Sequence, residues 1–167
     1  MDWNAVTAVS TMASTAVVVV AAVIALSQLH NLRKTAQFDG TRRMIDHLVD
    51  PEFIRALRFV THDLGARLGD AAYRDDLAHA RGWDFDIAAH PEALVLARFE
   101  EIGIYVRNGL LPASALLDFN AELILEAWDH LQDVVALMRR SHRNPNVWSN
   151  AEYLHSLAKD HRTRSRR

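Results

Sequence analysis

The chain has 167 residues, half of them hydrophobic, and a formal charge of −2, which is enough for one small domain with its own core. Cysteine is absent, which excludes disulfides, thiolate metal sites and cysteine nucleophiles together. The charge is uneven, because residues 30–158 carry 19 Asp and Glu against 14 Lys and Arg, whereas 159–167 carry five basic residues against one acid.

The first predicted element is a membrane span. Residues 5–29, from Ala5 through Ala16, Val20 and Ile24 to Leu29, run for 25 positions without an ionisable side chain. At about 1.5 Å per helical residue they reach roughly 37 Å, more than the roughly 30 Å of a bilayer's hydrocarbon. Seven hydroxyl or amide residues interrupt the stretch, among them Thr7, Ser10, Thr11, Ser14 and Thr15. A helix in lipid satisfies its own backbone and tolerates them. The rival readings are a cleaved signal peptide, against which stands the acidic Asp2 and the lack of a basic start, and a buried helix. Arg33, Lys34, Arg42 and Arg43 all follow the span, so the positive-inside rule puts the N-terminus outside and the remainder in the cytoplasm.

Past the membrane, Leu32, Ala36, Met44, Ile45 and Leu48 continue the helical apolar pattern until Asp50 and Pro51 interrupt it. Asp50 reads as an N-cap with Pro51 at the first helical position, opening a helix that faces Phe53, Leu57, Val60 and Leu64 inward, with Gly65 and Gly69 at its end. A short helix over about 70–80 sets Tyr73 and Leu77 one turn apart. Residues 82–90 read as a loop. Pro91 opens a helix to about Arg107, with Val95, Phe99, Ile102 and Val106 inward, stopped by Asn108 and Gly109. The longest helix opens near Pro112 and carries Leu117, Ala121, Ile124, Trp128, Leu131, Val135 and Met138, a heptad seam that Asn144 and Pro145 end. Ser149 and Glu152 predict a capping box for a last helix burying Tyr153, Leu154 and Leu157. No run alternates long enough for a sheet strand. The expected fold is all-α: an N-terminal transmembrane anchor (1–29) continuing into a small cytoplasmic helical bundle of about five helices (30–158), then a basic tail (159–167).

The run Phe99, Glu100, Glu101, Ile102, Gly103, with Val106, Gly109, Leu110, Trp128, Arg139, Pro145 and the closing Glu152, Tyr153 and Leu154, resembles a bacterial family of single-span membrane proteins catalogued as a domain of unknown function. The resemblance implies a tethered helical domain in the bacterial inner membrane and carries over no catalytic residue. Composition agrees on the source: Arg outnumbers Lys 17 to 2 and Ala is abundant, as in a GC-rich genome.

Chemistry-bearing groups are sparse. Glu122, Glu126 and His130 repeat every four residues on the long helix, beside Asp129 and Asp133. Inward-facing carboxylates and histidines of that kind hold metal in helical bundles, but the heptad puts these residues off the buried seam, which makes a solvated acidic face the first reading and a metal site the alternative. Glu100 and Glu101 are expected to pair with an arginine such as Arg98 or Arg107. Asp84 and Asp86 lack a phosphate loop. No histidine has zincin spacing and no serine sits in a nucleophile elbow. Trp83 and Phe85, flanked by acids, are candidate partner contacts. The tail residues Lys159, Arg162, Arg164, Arg166 and Arg167 suit anionic lipid, with a solvated, disordered tail as the alternative reading; they lack the aromatics that would stack bases, which disfavours nucleic acid.

The expected function is a membrane-anchored helical interaction, scaffold or regulatory module, with the bilayer and either a second copy or another membrane protein as partners and no cofactor. Two alternatives are a metal-dependent enzyme using Glu122, Glu126, His130 and Glu101, and an accessory subunit of a larger membrane complex.

Overall fold

The computed structural model describes residues 21–22, 24–28, 48–80 and 86–165. Every regular element among them is helical, as the absence of period-two patterning requires. Among the described residues after residue 50 there are six helices: α1 (Pro51–His62), α2 (Leu64–Arg67), α3 (Ala71–His79), α4 (Pro91–Arg107), α5 (Ala113–His142) and α6 (Ser149–Ser165).

The helix starts follow local chemistry. The Asp50 carboxylate accepts from the Glu52 amide at 3.0 Å with Pro51 at the first position, and Asp70 caps α3 through the Ala72 amide at 2.9 Å. The single helix expected from Pro51 onward is instead two, divided at Asp63, whose φ of −111° departs from helical values between α1 and the one-turn α2. At the far end of α5 the stop is Arg143 in the left-handed region (φ 51°), one residue before the Asn-Pro pair expected to end it.

The heptad seam of α5 is buried at all seven positions, from Leu117 through Trp128 to Met138. It packs with Val95, Phe99, Ile102 and Val106 of α4, Phe53 and Val60 of α1, Leu77 of α3, and Ala151, Leu154 and Ala158 of α6. Phe53 and Phe99 meet with their rings tilted, centroids 6.4 Å apart. The broadest contacts are those of α6, laid along α4 and then α5, while α1 bridges α4 and α5.

The last helix does not begin on the predicted capping box. Glu100 of α4 supplies the cap: its Oε2 accepts from the Asn150 and Ala151 amides, each at 2.9 Å, and its Oε1 from Asn150 Nδ2 at 2.8 Å. A carboxylate from a neighbouring helix thus satisfies orphan donors at the positive end of the α6 dipole. Glu152 turns away to Arg139, 2.8 Å distant.

Residues 21–22 and 24–28 are helical, with Ile24 and Leu26 exposed. No helix among the described residues is long and apolar enough to cross a membrane. The span expected over 5–29 lies for the most part outside them, as do Arg33, Lys34, Arg42, Arg43, the loop pair Trp83 and Phe85, and the last two arginines of the tail.

Candidate functional site

Between α1 and α5 the bundle leaves a groove of about 360 Å³. Its floor is apolar: Ile54 and Leu57 come from α1 and Leu123 from α5. The inward residues of α1, Phe53, Ala56 and Val60, are spent on the core, so Ile54 and Leu57, on one flank of that stripe, are left at the surface or half-buried. On α5 the seam fixes the other wall. Leu123 sits one position before the buried Ile124 and is half-buried for that reason.

Charge separates the two walls. Arg58 and His62 line the α1 side and Glu126 the α5 side. Among the described residues neither Arg58 nor Glu126 has an ion-pair partner, while Glu122, one turn from Glu126, reaches Arg162 of α6 at 3.7 Å. His62 Nδ1 is held by the Thr61 hydroxyl at 2.6 Å.

One turn before Leu123 on the same helical row stands Phe119, 89% exposed and the most exposed large hydrophobic residue described. Phe119, Glu122, Leu123, Glu126 and His130 form one stripe along α5 by their three- and four-residue spacing. Sequence reasoning saw the acids of this stripe and missed the phenylalanine among them. The available signal was phase: Phe119 falls two positions after Leu117 and two before Ala121, off the seam.

The expected metal alternative finds no geometry here. Glu122, Glu126 and His130 are all exposed, and among the described residues no three His, Asp or Glu side chains lie where they could hold one ion. Glu101 is occupied by Arg98 Nη1 at 3.2 Å and by the Tyr105 hydroxyl at 3.0 Å. Asp86 closes its own turn, accepting from the Ala88 amide. His161 meets Asp118 at 3.1 Å, which lays the α6 end of the basic segment on α5.

A second polar group was not foreseen. Glu92 of α4 is completely buried and accepts from the Tyr73 hydroxyl of α3, with both carboxylate oxygens at 2.7 Å. His90, just before α4, sets Nδ1 3.0 Å from Glu92 and Nε2 2.9 Å from Asp76 of α3. Burial pushes the imidazole pKa down, but the hydrogen bonds to Asp76 and Glu92 outweigh it and hold the value above the ordinary 6.5. Burial, followed by the bond to Glu92, drives the Tyr73 phenol far up, so it remains a donor. The His90 side chain is 4% exposed and both of its nitrogens are taken. The group is therefore a clasp between α3 and α4 rather than an acid–base pair facing a substrate.

Comparison with known proteins gives one positive finding. A family model described as a domain of unknown function, DUF4760, matches residues 15–157. No curated protein and no solved structure matches the chain.

Proposed function

Since the chain belongs to the DUF4760 family of unknown function, which assigns it no chemistry, we propose from its own residues that it is a membrane-anchored helical interaction module whose docking surface is the α1–α5 groove. The observation that carries this is Phe119, a whole aromatic side chain in water beside an apolar groove with unpaired charges on its rim. Aromatic residues set in such surroundings supply most of the energy of protein contacts, because they bury a large area at small entropic cost. The anchoring half of the proposal rests on the 25 uncharged residues of 5–29, followed by the basic flank Arg33, Lys34, Arg42 and Arg43, and on the exposed Ile24 and Leu26 of the helical segment within that stretch. On this reading the bundle lies on the cytoplasmic side of a bacterial inner membrane.

Two measurements on the full-length chain test it. Expressed in bacteria, the protein should sediment with membranes, resist an alkaline wash and dissolve in detergent; full-length material left in the supernatant would overturn the anchor. A photo-crosslinking amino acid placed at Phe119 should give protein adducts in native membranes, whereas one at the exposed Asp133 of α5 should not. Equal yields, or none at either position, would overturn the docking surface.

A further inference from the structure

We infer that the occupant of the α1–α5 groove is the same face of a second copy of this chain. The inference deepens the docking reading above and rests on it. Three features of one patch argue for self-recognition. The first is that it holds a projection and a recess together: Phe119 stands out from α5, and the recess floored by Ile54, Leu57 and Leu123 opens one helical turn away. A two-fold axis across the patch carries each copy's Phe119 toward the other's recess, which is the self-complementarity that an isologous contact requires.

The second feature is charge. Within one copy the α1 wall is cationic at Arg58 and the α5 wall anionic at Glu126, and the two do not pair. The same two-fold operation brings the α1 wall of one copy against the α5 wall of the other, so Arg58 and Glu126 are opposed twice over. The third is what the remainder of the bundle does with its own charges. Glu122 and Asp118, farther along α5, already have Arg162 and His161 from α6. On the groove edge Arg58 and Glu126, which line one recess, have no ion-pair partner among the described residues.

The chain lacks cysteine, so disulfide trapping reads the geometry directly. Full-length Phe119→Cys and Ile54→Cys variants, carrying different tags and co-expressed in membranes, should yield a mixed disulfide of twice the chain mass on mild oxidation. A pairing of Phe119→Cys with Asp133→Cys should yield about tenfold less. Arg58→Glu or Glu126→Arg alone should lower the trapped dimer by about tenfold, and the two together in one chain should restore it. All five positions are at the surface, so circular dichroism should be unchanged. Loss without rescue, or no mixed disulfide at all, overturns the inference. If Phe119 crosslinks only to a different protein, the self-contact fails while the docking surface stands; if it crosslinks to nothing, both fail.

Discussion

Glu92 carries a carboxylate into the core and remains there because three groups share its burden: the Tyr73 hydroxyl, the His90 imidazole and, through that imidazole, Asp76. A buried charge without such partners costs several kcal/mol, so the clasp is cooperative by necessity. Its pH dependence follows from two histidines shifted in opposite directions. His90 is held above 6.5, so the folded state keeps its proton longer than the unfolded chain does; its contribution is complete below 6.5 and is lost as pH rises through the raised value. His155, stacked on Trp128 with centroids 5.1 Å apart, is pushed below 6.5 by burial, so its contribution is lost as pH falls beneath that point. The two windows adjoin. The melting temperature of the intact protein should peak near pH 6.5 as far as these two groups determine it. His90→Gln should remove the decline on the alkaline side and His155→Gln the decline just on the acid side, read by thermal melts between pH 5 and 9.

At the scale of elements, the residues of the Phe99–Gly103 run turn out to be the joint between α4 and α6. Phe99 and Ile102 are buried, Glu100 caps α6, and Gly103 lets the α6 terminus approach so closely that a Cβ there would lie 2.2 Å from the Asn150 carbonyl oxygen. That atom is backbone and cannot rotate away. Gly103→Ala should therefore destabilise the protein by about 2 kcal/mol or more despite the roughly 1 kcal/mol that alanine gains within a helix, measured as a lowered urea midpoint. Arg107 adds to the joint, donating to Asn150 Oδ1 at 2.9 Å and lying over the Tyr153 ring at 5.1 Å. Opposite, Arg139 donates to the Val147 carbonyl and to Glu152, and Trp148, at φ 59°, donates its indole N–H to Met138 Sδ. The family resemblance thus rests largely on residues that build a helix junction, which explains why it carried a fold and no reaction.

For the whole molecule, the balance between inside and outside decides what the surface is for. Phe119 makes little contribution to the fold at 89% exposure, so Phe119→Asp should leave unfolding free energy within about 0.5 kcal/mol of the parent while abolishing the adducts formed by a photo-crosslinking residue placed at Ile54 in the groove. Equal loss of stability would show that the ring supports the bundle instead of a contact.

Much of the architecture was legible because periodicity is a one-dimensional record of burial. The α5 seam, the inward face of α4, the Asp50–Pro51 start and the off-seam position of Glu122, Glu126 and His130 could all be read from spacing, whereas on α1 the expected Leu57 is half-buried in the groove and Ala56 takes the core position. What escaped depended on residues distant in the chain: Glu100 replacing the local Ser149–Glu152 cap is a contact across 50 positions, and the Tyr73–Glu92–His90 clasp spans 19. A glutamate in the first turn of a helix reads as solvated unless one knows that α3 lies over it.

By itself the sequence determined that the bundle is helical, where most of the described helices begin and which stripes of α4 and α5 turn inward, since those depend on local propensity and on the 3.6-residue repeat. Only the tertiary structure decided which helix caps which, which carboxylate is buried against an imidazole, and that Phe119 stays uncovered beside a groove. Those outcomes arise from how the helices cross, and a crossing is set by the side chains of two separated segments together.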